Sequence, residues 1–172
     1  YTKLTSQNTY QSILLTPVSV SEIVLGEIIW ICSKAAISVI TIGTILTFLN
    51  LISWSILPMI TLIIVLMTWI FAALGIYISA RATSYETFSY MQSGFITPMS
   101  LFCGTYFPLE QLPNWLEKIA YLLPLTHAMA AIRTIQSGEI QSSLILNCLY
   151  LVVLAIALTN LAAAKFERRL IV

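Results

Sequence analysis

His127 is the one histidine of the chain, and it stands six residues before Arg133 in the run PLTHAMAAIR. An imidazole can hold a metal, relay a proton or act as a base. A metal centre needs several convergent donors, and no Cys, Asp or second His lies near in sequence. A hydrogen-bonding or interfacial role is therefore expected for His127. Arg133 is expected to meet a helix end, a lipid phosphate or Glu139 rather than a substrate. Glu27 and Lys34 form a second pair, seven residues apart and so on one helical face. Either Glu27 sits at the membrane interface with Lys34 snorkelling toward it, or the two line a polar path through the membrane. All seven acidic residues are glutamates, so the paired aspartates of an intramembrane protease cannot form. Neither H-E-x-x-H nor G-x-S-x-G occurs. No catalytic residue and no metal ligand is assigned. Cys32, Cys103 and Cys148 lie in apolar segments without a C-x-x-C spacing and read as small packing residues.

Composition sets the elements that must carry these residues. The 172 residues are 59% hydrophobic and only 9% charged, where a soluble domain has about 25% charged residues. A chain this short cannot hide that much apolar surface in a water-soluble core. The net charge of +1 gives no electrostatic footing for nucleic acid. The chain starts at Tyr1 in polar sequence, without Met or a basic leader, and a segment upstream is expected.

No charge occurs anywhere in residues 35–80. One helix of that length would measure about 69 Å, more than twice a hydrocarbon core of roughly 30 Å. It must fold back, and NLISWSILP supplies the interfacial turn. An all-α integral membrane protein with four spans is expected, at 23–49, 56–80, 87–107 and 142–164. The third is interrupted by Gly94, Pro98 and Gly104. Small residues at four-residue spacing, Ala155, Thr159 and Ala163, and likewise Gly75 and Ser79, read as packing stripes. Lys3, Arg81, Lys165, Arg168 and Arg169 fall on one side of these spans, and Lys118 and Arg133 on the other. The excess of positive charge places both ends in the cytoplasm.

The stretch 108–137 loses its hydrophobicity and is broken by prolines. Pro113 suits the first turn of a short helix, along which Trp115, Leu116, Ile119, Leu122 and Leu123 recur at helical spacing. Pro124 stops it, and a second short helix ends near Gly138. Two half-length helices with an aromatic anchor form an outer re-entrant or interfacial element. Before the first span, Tyr10, Ile13 and Leu14 share a helical face and Pro17 ends the run. Residues 9–17 therefore form a cytoplasmic amphipathic helix, either lying in the headgroups or docking a soluble partner. Ser21 is expected to cap the next helix, with Glu22 in its first turn.

These segments together resemble the ABC-2 type permease family, the membrane subunits of ATP-driven exporters. Tyr10, Thr16, Pro17, Glu22, Gly26 and Glu27 fall on that family's coupling-helix pattern. Gly104, Pro108, Pro113, Trp115, Pro124, Leu125 and Arg133 fall on its signature near the last span. His127 after Pro-Leu-Thr is similar to the branch that includes nodulation lipo-oligosaccharide exporters. The resemblance implies a permease subunit that is not itself an enzyme, working as a homo- or heterodimer in the bacterial inner membrane. It implies six spans in the whole protein, so two before Tyr1. Thr9, Tyr10, Ile13, Leu14, Thr16 and Pro17 would sit in a cleft of a separate ATPase subunit and transmit its closure. ATP and Mg would belong to that partner, since none of the six glycines here is followed by Lys and no Walker loop can form. The implied cargo is amphipathic: lipo-oligosaccharide, polysaccharide or drug. The alternative is an ATP-independent channel or secondary transporter, which would account for Glu27, Lys34 and the broken helices but not for a docking helix.

Overall fold

The computed structural model describes residues 17–82, 84–105, 113–138 and 142–170. Among them are six helices: α1 Val20–Phe48, α2 Leu57–Arg81, α3 Tyr85–Phe102, α4 Asn114–Ala120, α5 Pro124–Ser137 and α6 Ser142–Leu170. The chain is an all-α membrane protein. Three helices, α1, α2 and α6, are long and apolar enough to cross a bilayer.

Local chemistry sets the helix ends. Ser19, not Ser21, caps α1. Its hydroxyl accepts from the Glu22 backbone N–H, and the Glu22 carboxylate accepts from the Ser19 N–H at 2.7 Å. The spacing Ser19-x-x-Glu22 makes this reciprocal box, and Ser21 falls one residue inside the helix. After Phe48 the chain turns through Asn50, which is left-handed at φ 57°, a conformation Asn tolerates better than most residues. Phe48 and Trp54 meet edge to face across this turn, 5.6 Å between ring centres. Pro58 in the first turn of α2 and Pro124 in that of α5 use the position where no N–H is needed. Gly138 ends α5 at φ 75°.

The middle of the fold is α2, packed against α1, α6, α5 and α3. Helix α1 runs antiparallel to it. The Cys32 thiol points to the Val65 carbonyl near mid-span, and Gly43 lies against Leu57 at the far end. Helix α6 runs parallel to α2. Trp69 Nε1 donates to Thr159 Oγ1 at 3.0 Å, and Arg169 reaches Ser79 further along both helices. Two helices can be parallel only if the chain between them returns to its starting end. Helix α3 makes that return, and its Tyr90, Met91, Gly94 and Phe95 line one pocket with Leu74, Tyr77 and Ile78 of α2.

This is where the expected third span, 87–107, differs. Helix α3 is 18 residues long, about 27 Å, and is less apolar than the three candidate spans. Its apolar run is diluted by Ser89, Gln92, Ser93 and Thr97. Met99 is its one buried residue.

The core has two storeys. At the end where α1 begins and α6 finishes, Ile23, Val24 and Ile28 of α1 meet Ala72, Ala73 and Ala80 of α2, together with Ala162 and Phe166 of α6. At the other end α5 takes the place of α1. Ala128, Ala131 and Ile135 of α5 pack against Ile60, Ile63 and Met67 of α2 and Leu151 and Ala155 of α6. Small residues admit the close approach that a membrane bundle needs, since hydrophobic exclusion from lipid drives nothing. Ala155 and Ala162 do this on α6, with Thr159 bonded to Trp69. Gly75 does not: it faces open space, and with Ser79 it lines a cleft.

Candidate functional site

Pro113, Trp115, Pro124, Leu125, His127 and Arg133 lie on or at the ends of α4 and α5, which form an elbow with the start of α6. A helix leaves its last carbonyls without partners, and α4 has only seven residues. The carbonyls around its end are held in succession. Thr126 Oγ1 donates to the Ala120 carbonyl at 2.6 Å. His127 Nε2 lies 2.9 Å from the Tyr121 carbonyl, which can only accept. The Tyr150 hydroxyl of α6 donates to the Leu122 carbonyl at 2.8 Å. The elbow is thereby fixed both to itself and to the last span.

His127 is half-buried in this joint. Its ring stacks on Tyr150 with centres 4.1 Å apart and planes tilted by 33°. Nδ1 faces Asn147 Oδ1 at 2.8 Å. With Nε2–H committed to Tyr121, a neutral ring accepts at Nδ1 from the Asn147 amide turned over. A charged ring donates to Oδ1 as it stands. These hydrogen bonds and the ring stack make the site a joint between α5, the turn after α4 and α6. Among the described residues no group of three His, Cys, Asp or Glu could hold a metal ion.

Arg133 meets a helix end. Its Nη2 donates to the carbonyl of Gly104, the residue that turns left-handed at φ 83° just beyond α3. Pro113 is the N-cap of α4. Trp115 is 66% exposed on α4, available to a surrounding bilayer. Pro124 is buried as the first residue of α5, and Leu125 packs against the core beside it. Pro108 lies outside the described residues, as do Thr9, Tyr10, Ile13, Leu14 and Thr16. Pro17 is an exposed bend ahead of α1.

The structure separates Glu27 from Lys34. Glu27 lines a cleft of 530 Å³ between α1, α2 and α3, with Phe71, Gly75, Ser79, Phe88 and Gln92. Lys34 does not reach this cleft. Its ammonium lies over the Trp30 ring, 4.6 Å from the ring centre, a cation–π contact one turn back on α1. The cleft sets one carboxylate and the polar side chains of Thr68, Ser79 and Gln92 in a mostly apolar wall.

Thr126, Asn147 and Tyr150 were not singled out by sequence, and Arg169 entered only through the charge balance across the membrane. Asn147 and Tyr150 carried a usable signal, being polar groups at helical spacing within an apolar span. Arg169 donates to the carbonyls of Ser79 and Ala82 at 2.6 and 2.7 Å, closing the end of α2.

The chain has recognisable relatives among known proteins. A family model described as ABC-2 type transporter matches residues 2–137. Nodulation protein J of Rhizobium meliloti is 35% identical over 81% of this chain and 53% of its own length. That of Rhizobium leguminosarum bv. viciae is 32% identical over 96% of this chain and 66% of its own. That of Bradyrhizobium diazoefficiens is 31% identical over 99% of this chain and 65% of its own. The chain thus spans between about half and two-thirds of the length of these relatives. No solved structure matches the chain significantly. With the family match reaching from its first residues to the end of the elbow, the chain belongs to the ABC-2 type transporter family of membrane permeases.

Proposed function

We propose that the chain is the permease subunit of an ATP-driven exporter that moves an amphipathic cargo outward. The match to the ABC-2 type transporter family over residues 2–137 carries this reading. In it, a separate ATPase subunit binds ATP and Mg, and residues 9–17 transmit its closure to the spans. A second permease copy completes the pathway. Both ends of this chain lie in the cytoplasm of a bacterial cell, and the elbow faces outward from the inner membrane. The resemblance of the Pro-Leu-Thr-His turn to nodulation lipo-oligosaccharide exporters, beside relatives named for nodulation, favours a lipid-linked saccharide over a drug. The mixed wall of the Glu27 cleft suits a cargo with one polar and one apolar end.

The test is purification of the tagged protein from its native membrane in mild detergent, followed by identification of co-purifying chains. A stoichiometric ATPase subunit with vanadate-sensitive hydrolysis is expected. Two acidic substitutions at Ile13 and Leu14 should then abolish transport while leaving membrane insertion intact. Cargo transport that persists without any ATPase partner would overturn the reading.

A further inference from the structure

We propose that the pocket between α2 and α6, lined by Tyr77, Leu161, Ala164, Lys165 and Arg168, binds the phosphate of an anionic glycerophospholipid. The inference stands independently of what the protein exports.

The pocket has a volume of 230 Å³. It lies where α6 passes from apolar sequence into KFERR. Leu161, 56% exposed, and Ala164 form the side toward mid-span. Lys165 and Arg168 form the side toward the helix end. Such a gradient, from hydrocarbon wall to paired cations within about two turns, matches a phospholipid from acyl chain to headgroup.

Among the described residues the two pocket cations are uncommitted. Neither Lys165 nor Arg168 makes an ion pair or side-chain hydrogen bond among the described residues, whereas the adjacent Arg169 is occupied by the carbonyls of Ser79 and Ala82. A third cation adjoins the pocket. Arg81 lies over the Tyr77 ring, 5.8 Å from its centre, and donates to the Tyr77 hydroxyl at 3.0 Å. No acidic group of this end lines the pocket. Glu22 is taken up in the Ser19 capping box, and Glu27 lines the other cleft. Glu86 is in the first turn of α3, and Glu167 does not line the pocket. The local field is positive where a phosphate would sit. Arg168 can engage a phosphate through two donors, and Lys165 adds a point charge.

The apolar wall separates a lipid from a free phosphate. An inorganic ion gains nothing from Leu161, while an acyl chain does.

The experiment uses the purified protein in phosphatidylcholine nanodiscs, titrated with phosphatidylglycerol and read by native mass spectrometry of retained lipid. Wild type should retain phosphatidylglycerol over phosphatidylcholine, and added inorganic phosphate should not displace it. Each cation removed should weaken retention about fivefold, so K165Q/R168Q should lose at least about tenfold in retention. Lys118→Gln, on α4, should change nothing. The thermal midpoint of K165Q/R168Q should match wild type, because neither side chain bonds to a described residue. If the double variant misfolds, Arg168→Gln alone should still lose about fivefold. Equal retention by wild type and charge-removed protein would overturn the proposal. Displacement by inorganic phosphate would also overturn it, assigning the pocket to a free anion.

Discussion

The guanidinium of Arg133, on α5, donates to the carbonyl of Gly104, just past the end of α3. The two residues are 29 apart in sequence, and their bond holds the returning helix against the elbow. Gly104 can present that carbonyl because its φ of 83° costs a glycine little, while a residue with a Cβ loses roughly 1–2 kcal/mol there. Arg133→Ala should therefore destabilise the protein by about 1.5–3 kcal/mol, the range for hydrogen bonds to charged groups. Gly104→Ala should lose about 1–2 kcal/mol. The two act on one joint, so the double variant should lose less than the sum. Denaturant unfolding of the four proteins in detergent reads the cycle. Strict additivity would mean that the contact contributes nothing.

Within the elbow, Tyr150 makes two separable contributions. Its hydroxyl donates to the Leu122 carbonyl, and its ring stacks on His127. Tyr150→Phe removes only the first and should cost about 1 kcal/mol. His127→Ala removes the stack and the bonds to Tyr121 and Asn147 together, and should cost about 2–3 kcal/mol. Hydrogen exchange at the amides of α4 and its following turn should rise in the same order. Equal exchange in both variants would show that the joint does not hold α4.

The elbow was legible in outline because prolines and a glycine mark its bends. Pro113, Pro124 and Gly138 bound two short helices for backbone reasons that hold in any surroundings. The partners that fix the elbow were not legible. Thr126, Asn147 and Tyr150 act through contacts up to 28 residues distant, and no local pattern encodes such pairing. The same limit applies to Glu27 and Lys34. Their spacing does place them on one face of α1, but the neighbours decide what each meets. Residues of α2 and α3 line the cleft with Glu27, while Trp30, four residues before Lys34 on α1 itself, takes the ammonium. Helix α3 was harder again. Its four polar side chains lower its hydropathy, and the parallel course of α2 and α6 reveals its direction.

At the opposite end of the bundle, neighbouring arginines have different tasks. Arg169 satisfies two carbonyls at the end of α2. Arg168 bonds to no described residue and lines a pocket instead. Arg169→Gln should lower stability by about 1.5–3 kcal/mol, and Arg168→Gln should leave it within about 0.5 kcal/mol of wild type. Thermal melts of both variants in detergent check this. A larger loss at Arg168 than at Arg169 would contradict the assigned bonds.

Gly43 tests how closely α1 approaches the start of α2. It is buried, and a Cβ built on it would lie 2.2 Å from Leu57 Cδ1. That atom is the tip of a flexible side chain, so Gly43→Ala should be accommodated by a rotamer change at a cost below about 1.5 kcal/mol. Gly43→Leu cannot be accommodated that way. Its branched end would occupy the volume of Leu57, which is itself 9% exposed. Overpacking of this kind costs about 1–3 kcal/mol. Thr47 lies one turn further along α1, buried, with its hydroxyl bonded to the Gly43 carbonyl at 2.7 Å, so the backbone has little room to retreat. The discriminating variant is Gly43→Leu combined with Leu57→Ala. If the damage is steric, the second change removes the obstructing methyls, and stability should recover toward that of Leu57→Ala alone. If Gly43 serves instead to let the helix bend, the second change should add its own loss of about 2–5 kcal/mol. Unfolding of the two single variants and the double decides between a contact and a hinge at this position.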